Sequence, residues 1–378
     1  MTEYVAQDAL IATRLSKVDG EAGQLSISGF ALEEISLKFV FEEMIFLLLY
    51  GDLPTSAQLD SLKKNLAAHR QLSPSTIEIL KIAIRQNLGA IDALRLAISG
   101  STLADSEDSD EEAVKQDAIA IIAAFPSIVA AYWRLLNGLE IIAPSPKLDH
   151  ASNYLYMLFG EQPINANSRA LEIYLNTVVD HGLNASTLTA RVIISTRSDI
   201  LSATVGAIGA LKGPLHGGAP GPALNMIFDI GERSQAEPYL LAKLMNGERL
   251  MGFGHRVYRT RDPRAIVLAK ATEEMYRAKG DMALFDLARH VEETALRLLA
   301  EHKPNRVIKT NVEYYTALIL HELNISKDLF TATFAISRVV GWMAHCLEQK
   351  RQDRLIRAKG FYVGVEGRDW VSIAQRGD

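Results

Sequence analysis

The sequence predicts a mainly α fold, and three observations carry that prediction. Apolar residues recur three and four apart through most of the chain, the period of an amphipathic helix. Strand-like runs are few: GQLSISGF near the start and FYVGV near the end are the two candidates, too little for a central sheet. Glycine, proline and histidine concentrate in two aperiodic stretches, GPLHGGAPGP (213–222) and MGFGHRVYRTRDPRA (251–265), which read as loops between helices.

In chain order, the strand candidate GQLSISGF comes first. ALEEISLKFVFEEMIFLLLYG (31–51) follows as one long helix that stops at Gly51. SAQLDSLKKNLAAHR and STIEILKIAIRQN each open on serine, a favoured N-cap. The acidic run ADSEDSDEEA (104–113) reads as a solvated loop leading into a helix start, where carboxylates favour the dipole. EEAVKQDAIAIIAAF and SIVAAYWRLLNGL lie on either side of Pro126. Next come SRALEIYLNTVVDHGL, STLTARVIIST and SDILSATVGAIGALKG, then EPYLLAKLMNG, DPRAIVLAKATEEMYRAKG and MALFDLARHVEETALRLLAEH, and last KDLFTATFAISRVVGWMAHCLEQ. The segment between the first Gly/His loop and NVEYY (311–315) carries more charge than its surroundings. It predicts a smaller helical domain, residues 217–318, inserted into a larger one made of 1–216 and 319–378.

The totals exclude several functions. A chain of 378 residues with 48% hydrophobic and 22% charged residues has ample material for a buried core. A net charge of −5 argues against broad binding to nucleic acid or an anionic membrane. One cysteine, Cys346, allows no intrachain disulfide and no thiolate metal cluster, and suits a reducing cytosol. The N-terminus, MTEYVAQDALIATR, has no basic region leading into an apolar run, so no signal peptide is expected. The longest largely apolar run, Ala118 to Trp133, has 16 residues and reads as a buried helix rather than a membrane span. The expectation is a soluble cytoplasmic protein.

Four of the nine histidines stand out. His345 lies on a helix amid apolar residues and reads as a core histidine. His181 ends a helix in DHGLNAST, and His216 and His255 occupy glycine-bearing loops, where a ligand can approach the backbone closely. No histidine pair has the helical i, i+4 spacing with an acidic partner expected of zinc, so no metal is expected. A Walker loop and a GxGxxG fingerprint are both missing, which leaves nucleotide hydrolysis and nicotinamide binding unsupported. Arg256, Arg259, Arg261 and Arg264 follow His255 closely. They would make a solvated helix face paired with Asp262, except that Pro263 marks where the helix begins. Arg264 then sits in a first turn, where a cation gains nothing from the dipole and a guanidinium fork suits a carboxylate or phosphate. Glu313, in NVEYY, heads a helix as well. A carboxylate near two histidines and several arginines would suit removal of a proton next to a carbonyl.

GPLHGGA, MGFGHRVYRTRDPRA, NVEYYTA and FAISRVVGWMAHCLEQ, in that order and spacing, resemble the citrate synthase family. The resemblance runs from KVDGEAGQLSISGF to LIRAKGFYVG and is strongest over 181–264 and 311–349. It implies a helical homodimer whose large and small domains close on an active site between them. The implied reaction condenses an acyl-CoA, acetyl-CoA before propionyl-CoA, with oxaloacetate and then hydrolyses the thioester. Coenzyme A thioester is thus a co-substrate, and no bound cofactor or metal is implied. By motif match, His216 would hydrogen-bond the thioester carbonyl, His255 the keto oxygen of oxaloacetate, and Glu313 would take the acyl proton. His181, Arg264, Arg338 and Arg357 match positions that hold substrate carboxylates, Arg357 reaching in from a partner subunit. Arg259 matches a contact to coenzyme A phosphates, with Arg306 or Lys309 adding another.

The chain departs from the family pattern at three places. The usual N-V-D reads N-V-E here, and the added methylene moves the carboxylate by about 1 Å, a displacement that can cost roughly 10²-fold in rate. That predicts either a slower citrate synthase or a pocket rebuilt for another acyl-CoA. Ala358 stands after Arg357 where proline is usual, and Ile27-Ser28-Gly29 replaces the frequent Tyr-Arg-Gly.

Overall fold

The first described segment opens with the one sheet found among the described residues. In this computed structural model, residues 11–101, 110–217, 220–255 and 257–376 are described. Arg256 and positions 102–109, the larger part of the acidic run, lie outside them. Strands β1 (Ser16–Asp19), β2 (Gln24–Ile27) and β3 (Phe30–Ala31) pair antiparallel in chain order, with Ser16 opposite Ile27 and Ile27 opposite Phe30. Ser28 and Gly29 join β2 to β3 at φ 47° and 88°. Two consecutive positive φ values are what a tight hairpin turn asks for, which explains the Ser-Gly pair at this place.

The stretch 31–51, expected as one helix, is two: α1 (Leu32–Lys38) and α2 (Phe41–Tyr50). Phe39 and Val40 between them are extended, with ψ 146° and 153°. The backbone groups freed by the break are satisfied from a distant helix. Arg169 Nη1 and Asn176 Nδ2 each donate to the Phe39 carbonyl at 2.9 Å, and Glu172 accepts from the Phe41 N–H at 3.2 Å. Helix α2 stops at Gly51, as expected, in the left-handed region at φ 89°.

Helices α3 (Ser56–Ala68), α4 (Pro74–Arg85) and α5 (Ala90–Ser99) follow, the first two capped by the Thr55 and Ser73 hydroxyls. The two runs flanking Pro126 form one helix, α6 (Glu111–Leu136), rather than two. A proline inside a helix costs about 3 kcal/mol. Here the burial of sixteen side chains, from Val114 to Tyr132, offsets it. By length and composition α6 could cross a membrane, but its most apolar window is 78% buried among other helices. Next are α7 (His150–Phe159), α8 (Asn165–Val178), α9 (Ala185–Ile194) and α10 (Ile200–Leu211). Beyond the first Gly/His loop lie α11 (Pro220–Ile230), α12 (Arg233–Met245), α13 (Pro263–Lys279) and α14 (Ala283–His302). The chain then forms α15 (Val312–Glu322), a 3-10 turn (Lys327–Leu329) and α16 (Phe330–Gln352). Helices α5, α7 and α11 are additions to those the periodicity predicts. The second strand candidate, FYVGV, is not a strand: residues 361–365 are irregular, bend at Gly364 and pair with no other strand, and a strand needs an edge to bond.

Helix α16 is the axis of the core. It is buried along most of its length and packs on α2, α5, α6, α8, α9 and α10. Helices α11, α12 and α14 pack on one another, and α11 packs on α15; α13 packs on α1, α8 and α15. The loops carrying His181, His216 and His255 and the start of α15 meet where these two groups face each other.

Candidate active site

A cavity of about 1440 Å³ opens at that meeting place. It is lined by His181, His216, His255, Arg259, Arg264, Arg306, Glu313 and Arg338, eight of the ten residues named from sequence. Lys309 and Arg357 do not line it, and both side chains are exposed. Lys309 contributes its carbonyl instead, which accepts from the Gly254 N–H at 2.8 Å.

Local backbone geometry places each group. Gly252 and Gly254 adopt φ 86° and 90°, which non-glycine residues rarely do. A Cβ on Gly252 would lie 2.7 Å from the buried Tyr314 ring, so glycine is required twice over. Phe253 forms an antiparallel bridge with Thr310, and Asn311 Nδ2 donates to the Gly254 carbonyl at 3.0 Å. This short zipper sets His255 beside the start of α15, where Asn311 Oδ1 caps the Glu313 N–H at 3.0 Å. His216 follows α10, and its neighbour Gly217 has no room for a side chain: a Cβ would sit 2.4 Å from the Leu211 carbonyl oxygen.

The histidines are held neutral. Burial first, then the Arg264 charge, pulls His255 down to about 4; burial and Arg338 do the same for His216, also to about 4. His181 lies well below its usual range, from burial and then from Arg264, Arg338 and His255. Its Nε2 hydrogen-bonds the Tyr258 hydroxyl at 3.1 Å. His255 Nδ1 accepts from the Val257 and Tyr258 N–H groups at 3.0 and 3.2 Å, so in the neutral ring Nε2 carries the proton. That Nε2 stands 3.1 Å from Arg264 Nη2. The same Nη2 donates to Asp262 Oδ2 at 2.8 Å, so the arginine fork and the imidazole meet side by side in the cavity lining. His216 Nε2 lies 2.8 Å from Ser186 Oγ, which also accepts from Trp342 Nε1–H at 3.0 Å.

Two of the four arginines buried among the described residues, Arg264 and Arg338, border the cavity. Asp262 grips Arg264 through Nε at 3.0 Å and Nη2 at 2.8 Å, so the pairing expected of a bland surface face exists, but inside the protein. Arg338 Nε donates to the Val178 carbonyl at 2.9 Å, and its guanidinium lies 4.6 Å from the Phe334 ring centroid. No carboxylate among the described residues pairs with it within 4.0 Å, and burial lowers it to about 10. A buried cation with an open cavity in front of it favours an anionic ligand. Burial also raises Glu313 against the opposing pull of Arg264.

Two lining residues carry no sequence signal, and three residues behind the lining have roles that the sequence does not show. Arg249 and Lys303 add charge at the rim, each an isolated basic residue outside any motif. Ser186, Tyr258 and Trp342 act through side-chain hydrogen bonds that join distant parts of the chain. His345 is a core histidine, as expected, fully buried between Asp180 and Arg191.

Comparison with known proteins matches residues 6–359 to the family model described as citrate synthase, C-terminal domain. A citrate synthase of Haloferax volcanii is 38% identical over 371 residues, covering 96% of each chain. A 2-methylcitrate synthase of Mycobacterium tuberculosis is 36% identical over 94% of this chain and 88% of its own. Among solved structures, the citrate synthase of Thermoplasma acidophilum in ternary complex with carboxymethyl coenzyme A and oxaloacetate superposes with a TM-score of 0.86. It is 30% identical and covers 97% of both chains.

Proposed function

The chain belongs to the citrate synthase family, and on that premise we propose that it condenses acetyl-CoA with oxaloacetate and hydrolyses the thioester, releasing citrate and coenzyme A. The observation that carries this reading is the gathering of His181, His216, His255, Arg264, Glu313 and Arg338 around one cavity, with Arg264 Nη2 3.1 Å from His255 Nε2.

In this reading Glu313 takes a proton from the acyl methyl group while His216 donates to the thioester oxygen, giving an enol. Ser186 Oγ donates to Asn184 Oδ1 at 2.8 Å here; turned to His216 Nε2 instead, the hydroxyl would leave the ring proton on Nδ1 for that task. The enol carbon attacks the keto carbon of oxaloacetate, and His255 supplies the hydrogen bond and proton at the keto oxygen. Water then cleaves the thioester. His181, Arg264 and Arg338 hold the two carboxylates, for which the unpaired Arg338 is the best-placed cation. Arg259 and Arg306, with Arg249 and Lys303, supply positive charge at the rim for coenzyme A phosphates. Neutral histidines suit these roles, because each must donate a hydrogen bond without drawing substrate carboxylates to itself as a cation.

We also propose a homodimer. Past α16 the chain exposes Phe361 at 91% and Trp370 at 82%, large apolar surfaces that a second copy would cover. Arg357 lies in this segment, outside its own chain's cavity, as a residue that completes a partner's site would. The single buried cysteine suits the reducing cytoplasm we assign to it.

The test is thiol release with oxaloacetate, acetyl-CoA and propionyl-CoA being compared. Preference for acetyl-CoA supports the reading. Preference for propionyl-CoA makes the protein a 2-methylcitrate synthase, the reading favoured by the Mycobacterium relative. No release from either, with oxaloacetate still bound, would leave a binding protein in place of an enzyme. Glu313→Asp, run alongside, turns over faster if the extra methylene is a handicap and slower if the pocket is built around it.

A further inference from the structure

We propose that Ser16, on β1, is a positioning residue for the keto-acid site, fixing the turn that carries His181. The inference rests on the reading of His181 as a carboxylate ligand of oxaloacetate.

One hydroxyl ties down both chain neighbours of this histidine. Ser16 Oγ donates to Asp180 Oδ2 at 2.5 Å and accepts from the Gly182 N–H at 2.9 Å. Gly182 sits at φ 60°, so the turn depends on side-chain anchors rather than on helical bonds. The second donor to Asp180 Oδ2 is His345, whose Nε2 lies at 3.2 Å. Arg191 Nη1 donates to His345 Nδ1 at 3.2 Å; arginine cannot accept, so the ring presents its Nε2–H to Asp180. Burial alone would raise Asp180, but His345, Ser16 and Arg338 outweigh it and hold the carboxyl below its usual range. The carboxylate is therefore an anion fixed on one side by α16 and on the other by β1.

The same hairpin reaches the second substrate histidine. The Gly20 carbonyl accepts from the Arg259 N–H at 2.8 Å, and a Cβ on Gly20 would lie 2.3 Å from the Val257 carbonyl oxygen. Thus β1 and the turn after it touch both the His181 turn and the loop that follows His255. Without the Ser16 hydroxyl, the Gly182 N–H loses its partner and Asp180 keeps one donor of two on Oδ2. The turn is then free to rotate His181 away from the cavity.

The experiment compares wild type, Ser16→Ala and Ser16→Thr by calorimetric titration with oxaloacetate, thermal melting and thiol-release kinetics. Ser16→Ala is expected to weaken oxaloacetate binding and raise its KM about tenfold, the scale of one lost hydrogen bond to a charged group. The kcat at saturating oxaloacetate and the KM for acyl-CoA should change less than about threefold, and Ser16→Thr should restore binding. Unchanged oxaloacetate affinity in Ser16→Ala overturns the inference. So does equal weakening in Ser16→Ala and Ser16→Thr that follows a fall in melting temperature. If wild type binds oxaloacetate but releases no thiol, the proposed reaction fails while the same titrations still decide the role of Ser16. If wild type does not bind oxaloacetate, both fall.

Discussion

Glu313 is the residue on which the chemistry turns. It heads α15 half-buried, and only the unprotonated form can take a proton. Its value is raised above 4.5, by burial first, so activity should rise with pH through a midpoint above 4.5 and fall as acid protonates it. A pH–kcat/KM profile checks the sign, and a limb at or below the ordinary glutamate value would contradict the burial argument. Glu313→Gln keeps size and polarity but loses the base. Thiol release should drop by roughly 10²–10⁴-fold, the usual share of general base catalysis, while calorimetry finds oxaloacetate binding nearly unchanged. The three site histidines titrate below neutrality, so they contribute no limb near pH 7.

Two elements decide whether the site assembles: the Gly252–Gly254 zipper with Thr310–Asn311, and the break between α1 and α2. Gly252→Ala adds a Cβ 2.7 Å from the Tyr314 ring at a positive φ. Tyr314 is anchored through its hydroxyl to the Ala288 carbonyl at 2.6 Å and cannot swing aside. Overpacking and backbone strain together should cost about 2–4 kcal/mol. A lower melting temperature, with activity reduced beyond the loss of folded protein, is the expected result; a melt like wild type would mean that the loop relaxes. The α1–α2 break is held by Arg169, Asn176 and Glu172, all on α8. Local periodicity reads straight through it because the groups that solvate the break lie more than a hundred residues away.

At the scale of the whole molecule, two predictions concern assembly and acid stability. If Arg357 serves the partner's site, Arg357→Ala and Glu313→Gln should each be inactive alone but complement when unfolded together and refolded. Random pairing makes half the dimers mixed, each with one intact site of two, so about a quarter of wild-type activity should return. No recovery would place Arg357 in its own chain's site. His150 is fully buried against Phe41, neither ring nitrogen has a hydrogen-bond partner in the described structure, and burial lowers it to about 3. The unfolded chain therefore takes up the proton first. The stability due to this group is complete above its ordinary value of 6.5 and is lost as pH falls toward about 3. Glu172 has the opposite sign. Burial raises it to about 7, so its contribution is complete below 4.5 and is lost as pH rises through about 7. His150→Phe should flatten the fall in melting temperature between neutral pH and pH 5, at up to about 1.4 kcal/mol per pH unit. An acid limb as steep as wild type would assign the sensitivity to another group.

The sequence by itself determined the helical class, most helix starts and stops, and eight of the residues that line the cavity. These are local or linear properties: a 3.6-residue period, serine and aspartate caps, glycine at positive φ, and four ordered motifs. His216, His255, Arg264 and Glu313 were legible because each sits in a stretch whose glycines or helix start already mark it. What tertiary structure alone decided is how those residues are poised. The two-helix break at Phe39, the continuity of α6 through Pro126 and the unpaired end of the chain at 361–365 all depend on what packs alongside. Ser16, Ser186, Tyr258 and Trp342 look ordinary in the sequence, because a hydrogen bond spanning 156 residues, as between Trp342 and Ser186, leaves no trace in either neighbourhood. The neutrality of the histidines belongs to the fold as well. Desolvation and the fields of Arg264 and Arg338 arise only once the chain has enclosed them, and no local pattern encodes an enclosure.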